Sequence, residues 1–162
     1  MDTYQRGFVA NGRDQQPGIP PDLKESFDMG VDLPRSHHAV ADGVPMHGPN
    51  QWPSRCPWLR GPTEDYFEVL RALGEKLLGA FACSVGEPEG FFEEMVDEAM
   101  VQMRMFRYFP LPEDSATYGS FEHTDYGMFT LLSPDPIGGL ELKTRSGEWC
   151  GAHGLAAAPL SP

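Results

Sequence analysis

His123 and Asp125 stand two residues apart in the run Gly119-Ser120-Phe121-Glu122-His123-Thr124-Asp125-Tyr126-Gly127-Met128-Phe129-Thr130-Leu131-Leu132. On extended backbone successive side chains alternate between faces, so residues i and i+2 point the same way. An imidazole nitrogen and a carboxylate oxygen presented together can share one metal ion. They supply two of the three donors in a two-histidine-one-carboxylate triad, the arrangement that suits ferrous iron with open coordination positions. The spacing alone is weak. Five histidines among 162 residues give roughly 0.3 His-x-Asp pairs by chance, and a paired or solvated histidine and acid at a strand end is the commoner use of such residues.

Other candidates are thinner. His153, the only histidine after His123, lies among Gly and Ala that offer no frame to position a ligand. His37, His38, His47 and Cys56 lack the regular spacing of a zinc site. Asn50, Gln51 and Trp52 fall between prolines, where a turn with a packed indole is the plain expectation.

The elements that must position these residues follow from pattern. Residues 1–62 are rich in Gly and Pro, which predicts turns and extended connections. Tyr66, Leu70, Leu73, Leu77 and Phe81 recur at helical spacing and predict a helix over 64–83, with Thr63 as cap and Gly86 just past its end. Gly74 and Gly79 would let another element come close. A second helix should start near Pro88 and reach residue 100. At about Val101 the period changes: Gln102, Arg104, Phe106 and Tyr108 alternate with Met103, Met105, Arg107 and Phe109, as on a strand. Further strands are expected near 117–122, 127–132 and 139–143, with a turn at Arg145-Ser146-Gly147. Helices first and short antiparallel strands after is an α+β order. The Ala-, Gly- and Pro-biased residues 150–162 read as a disordered, divergent tail.

The chain carries 12 Lys and Arg against 24 Asp and Glu, a net charge of −12. That balance disfavours nucleic acid and anionic membranes as partners. Glu87, Glu89, Glu93, Glu94, Asp97 and Glu98 lie in a stretch without Lys or Arg and read as a solvated face. Three scattered cysteines form no disulfide framework. No apolar leader or membrane-length stretch is visible, so a reducing, cytoplasmic setting is expected.

Four segments resemble one family, in its order. The run from His123 to Leu132, with Gly138-Gly139-Leu140-Glu141-Leu142 and Gly147-Glu148-Trp149, resembles the first metal-binding half of the Fe(II)/2-oxoglutarate-dependent dioxygenases, isopenicillin N synthase-like group. Lys24-Glu25-Ser26-Phe27-Asp28-Met29-Gly30 and His47-Gly48-Pro49-Asn50-Gln51-Trp52-Pro53 resemble parts of that group's N-terminal region. Arg104-Met105-Phe106-Arg107-Tyr108-Phe109-Pro110 resembles the strand that opens its catalytic core.

The resemblance implies a double-stranded β-helix, or jelly-roll, with about half of its strands present. It implies Fe(II) held by His123 and Asp125, 2-oxoglutarate as co-substrate, O2, and a small-molecule substrate. Tyr108 matches the tyrosine of the family's Asn-x-Tyr, whose hydroxyl bonds the co-substrate carboxylate. Phe106 takes the asparagine's place, so core packing of Tyr108 is the alternative. It divides the chain into an N-terminal region over 1–62, a helical segment over 63–100, a partial core over 101–149 and the tail.

The family's third ligand, a distant histidine, and its Arg-x-Ser do not occur in these 162 residues. The expectation is a C-terminally truncated oxidoreductase, inactive as it stands and prone to self-association through exposed strands. The alternatives are a non-catalytic, partner-binding remnant and an oxidase of the isopenicillin N synthase type that uses no keto acid.

Overall fold

The alternation after Val101 does produce a strand. In the computed structural model, which describes residues 4–13, 22–96, 100–111, 118–128 and 130–152, β3 spans Gln102–Tyr108. It pairs antiparallel with β2, Lys24–Gly30, so that Lys24 faces Tyr108, Ser26 faces Phe106 and Asp28 faces Arg104. β1, Gly7–Val9, pairs with the other edge of β2, giving the order β1-β2-β3. The Gly- and Pro-rich start of the chain is therefore more than turns, and β2 corrects that expectation.

β2 was hidden because both of its faces carry polar residues. Lys24, Ser26 and Asp28 alternate with Glu25, Phe27 and Met29, and the buried set includes the first three. Burying such groups is tolerable only when each finds a partner. Lys24 Nζ pairs with Asp22 at 2.6 Å and donates to Ser120 Oγ at 3.2 Å. Arg104 reaches both oxygens of Asp28 at 3.2 Å, and Asp28 has no exposed surface. On the opposite face Phe27 packs its ring 5.4 Å from that of Trp52, and Met29 is buried.

Asn50 completes the end of β2. The Gly30 N–H donates to its Oδ1 at 3.0 Å, and its Nδ2 donates to the Gly30 carbonyl at 2.8 Å. One side-chain amide thus substitutes for a rung of strand pairing. Gly30 has no room for a side chain, because a Cβ would sit 2.7 Å from the Val101 carbonyl and against the Arg6 guanidinium.

A short helix α1, His38–Ala41, precedes the long helix α2, Arg60–Ser84. The helix starts one turn before the expected 64. Pro57–Leu59 forms a tight 3-10 turn that runs straight into it, and Pro62 sits in the first turn, where its missing N–H costs nothing. Thr63 is consequently inside the helix, donating to the Leu59 carbonyl at 2.7 Å, and caps nothing.

The C-terminus is as expected. Gly86, at φ +86, lets its own N–H reach the Cys83 carbonyl and that of Glu87 reach Ala82, closing the last turn. The 3-10 turn Glu89–Phe92 and the short α3, Glu93–Val96, follow. Helical structure does begin just after Pro88, at Glu89. The described residues of the expected second helix make no single helix to 100.

The packed face of α2 is not the predicted apolar stripe. Thr63, Phe67, Gly79 and Ala82 are buried, while Tyr66, Leu73, Leu77 and Phe81 remain exposed. Small residues decided this: Glu89 approaches Gly79 so closely that a Cβ there would meet its Cγ at 3.0 Å. A Cβ at Gly74 would meet nothing within 4 Å among the described residues.

Contacts divide the chain into one unit up to His123 and another from Thr124. The second holds β4, Leu140–Lys143, and β5, Trp149–Ala152, paired antiparallel. Thr144 and Glu148 close the turn, in which Gly147 has φ +87. Cys150, Gly151 and Ala152, expected in a disordered tail, extend β5. Residues 153–162, with His153, lie outside the described residues. The strands expected near 117–122 and 127–132 do not form among the described residues there. A strand exists only where a neighbour satisfies its backbone groups, and these runs meet no ladder partner among the described residues. The α+β class holds, with the sheet content of an incomplete jelly-roll core.

Candidate functional site

Tyr108 ends β3 with its side chain on the same face as Lys24, Phe106 and Arg104. Its phenol pKa is raised, first by burial and then by the Asp22 carboxylate, with Arg104 pulling the other way. The side chain is half exposed, and its hydroxyl, like any phenol, carries its proton at neutral pH. Phe106 lies 5.8 Å away, ring to ring. Lys24 Nζ and the Arg104 guanidinium each stand 5.1 Å from the Phe106 ring centre, within cation–π range. Gly119 comes down on the Tyr108 ring, where a Cβ would be 2.7 Å from Cδ1.

The segment after Gly119 leads to His123. The Leu23 N–H donates to the Tyr118 carbonyl at 3.5 Å, and Tyr118 meets Phe121 edge to face at 5.3 Å. The Phe121 carbonyl lies 2.7 Å from His123 Nδ1. A carbonyl can only accept, so this bond requires the proton on Nδ1, which makes Nε2 the ring nitrogen through which a metal would be coordinated.

His123 closes the first unit and Asp125 belongs to the second. Both are exposed on irregular backbone, and no strand runs through either. Among the described residues no three His, Cys, Asp or Glu lie together so as to hold a metal ion. One imidazole and one carboxylate fit Fe(II) in kind; in number they fall short of the triad.

The zinc candidates have local roles. His37 Nδ1 accepts from the Ala39 N–H at 3.3 Å, capping α1, and its ring packs on His38 at 4.4 Å. His47 Nδ1 sits 2.9 Å from the Pro45 carbonyl. Lys24, Asp28, Arg104 and Ser120 were not singled out from sequence. The matching alternations Lys24, Ser26, Asp28 and Arg104, Phe106, Tyr108, read as two strands sharing a face, would have found the first three.

Comparison with known proteins points one way. Residues 97–158 match the model of the 2OG-Fe(II) oxygenase superfamily. The chain is 35% identical over 142 residues to the 2-oxoglutarate-dependent dioxygenase caaD of Aspergillus niger, covering 83% of this chain and 41% of that protein. A 2OG-Fe(II) oxygenase family protein from Caulobacter crescentus superposes with a TM-score of 0.75 at 30% identity, over 93% of this chain and 48% of its own. A full-length Neurospora crassa protein, solved in complex with alpha-KG, gives 0.71 at 26% identity, over 94% and 50%. The chain spans about half the length of the proteins it matches.

Proposed function

On the premise that this chain belongs to the 2OG-Fe(II) oxygenase superfamily, we propose that it carries the first part of an oxidoreductase core using Fe(II), 2-oxoglutarate and O2 on a small-molecule substrate. The carrying observation is that the family match over 97–158 encloses Tyr108, His123 and Asp125. In this reading His123 and Asp125 are two of three metal ligands. Bound Fe(II) and 2-oxoglutarate supply the oxidising chemistry such enzymes direct at a C–H bond.

The chain's own residues bind and orient. His123, with its proton on Nδ1, would coordinate through Nε2. Asp125 offers a carboxylate. Tyr108, whose phenol carries its proton at neutral pH, donates to the co-substrate carboxylate. Two ligands leave a metal weakly held, because its geometry must be fixed by the ligands and the groups behind them together. We therefore read this chain by itself as inactive, with self-association through exposed apolar surface as its expected behaviour in solution. Its three unpaired cysteines suit a reducing, cytoplasmic setting. Among the described residues no helix is long and apolar enough to cross a membrane.

The test is succinate formation from 2-oxoglutarate with added Fe(II), alongside Co(II) titration as a spectroscopic stand-in. The expected result is no succinate above a no-protein control and weak Co(II) binding that Asp125→Ala removes. Succinate production that His123→Ala abolishes would overturn the reading of an inactive chain.

A further inference from the structure

We infer that Lys24, from the N-terminal strand β2, is a positioning residue for His123, holding through Ser120 the segment whose carbonyl sets the imidazole's tautomer. The inference rests on the reading of His123 as a metal ligand and adds what prepares it for that task.

Lys24 is an unusual residue to find at 8% exposure, since an ammonium group loses most of its hydration there. Its Nζ is held at 2.6 Å by Asp22 and donates at 3.2 Å to Ser120 Oγ, across 96 residues of sequence. Its neighbour Leu23 makes two backbone bonds, donating to the Tyr118 carbonyl and accepting from the Phe109 N–H at 3.4 Å. The approach segment is thus tied to the β2–β3 sheet at Tyr118 and at Ser120, with Gly119 pressed between them against the Tyr108 ring. The next residue, Phe121, presents the carbonyl that meets His123 Nδ1 at 2.7 Å.

That geometry matters chemically. A neutral imidazole in water prefers its proton on Nε2, the nitrogen that must be bare to bind a metal. A fixed carbonyl beside Nδ1 reverses the preference, the usual device for presenting a histidine ligand. Holding Ser120 holds that carbonyl one residue further on. All of these residues lie in the first unit.

The test reads the imidazole directly. Two-bond 1H–15N spectra of the full chain, labelled at histidine, are recorded where the ring is neutral and at a dilution that keeps the chain monomeric. The His123 signals are assigned with His123→Gln. Wild type should show the Nδ1–H pattern. Ser120→Ala and Lys24→Met should lose it in favour of the Nε2–H pattern, and Lys24→Arg should restore much of it, with far-UV circular dichroism unchanged. If Lys24→Met fails to fold, Ser120→Ala, which leaves Lys24 and Asp22 in place, decides. Retention of the Nδ1–H pattern in folded Ser120→Ala, or its absence from wild type, would overturn the inference. Co(II) titration separates the two ideas: a wild-type ring locked as Nδ1–H that takes up no cobalt supports the tether and sinks the metal-ligand reading.

Discussion

Asp28 and Arg104 make the most demanding contact in the sheet. A carboxylate with no exposed surface depends on one guanidinium, which is itself partly open to water. Removing one member of such a pair strands the other, whereas replacing the carboxylate by an amide keeps its shape and one acceptor. Arg104→Met is therefore expected to cost about 3–5 kcal/mol and Asp28→Asn clearly less, as read from urea unfolding midpoints. Equal losses would mean that packing, not charge, dominates there. Tyr108 gives a second expectation. Its folded pKa is raised above the usual 10.0, so the folded state keeps a proton that the unfolded state gives up. Its contribution is complete below pH 10 and is lost as pH climbs through the folded value. Wild type should thus lose stability at alkaline pH faster than Tyr108→Phe, in parallel thermal melts across pH 8 to 11.5. Matching slopes would remove the burial of this phenol from the account.

The elements were legible where one local rule sufficed. β3 announced itself by its two-residue period, and α2 by its apolar recurrence and by Gly86, which its closing turn requires. The face that α2 packs was not legible, because the choice depended on Gly79 meeting Glu89, a tertiary contact that periodicity cannot see. β2 was hidden for a related reason: Asp28 looks like a surface residue until Arg104, far along the chain, is placed opposite. The family was readable from the flanks of the His-x-Asp pair, yet the strands expected on either side of it needed partners that the described residues do not supply. Gly74 marks what α2 leaves unused. A Cβ there meets nothing within 4 Å among the described residues, and the helix bears glycine's entropic cost without a packing return from them. Gly74→Ala should stabilise by about 0.5–1 kcal/mol, seen as a higher denaturant midpoint with an unchanged slope. A lower midpoint would reveal a close approach at this position.

At the scale of the whole chain the two units differ in what protects them. β2 is paired on both edges, whereas β4 and β5 form a two-stranded ribbon among the described residues, an arrangement marginal in water. Hydrogen exchange should find the β2–β3 amides slowest and those of Leu140–Lys143 close to unprotected. Slow exchange at β4 would show the ribbon to be covered. Tyr66, Val69, Leu73, Leu77 and Phe81 lie open along α2, and apolar surface of that extent favours association. Sedimentation velocity should show a mass that rises with concentration. The pairing of β2 with β3 also has a consequence in time. Gly30 meets Gln102, so a ribosome adding roughly 5–20 residues per second has β2 waiting about 4–15 s before its partner is made. During that wait β1 can hold one edge of the strand, while the edge that β3 will take stays open. Lys24, Glu25 and Asp28, which make it a poor-looking strand on paper, are the sort of charges that keep a waiting strand from pairing with strangers. The polar face of β2 thus serves the nascent chain before it serves the folded one.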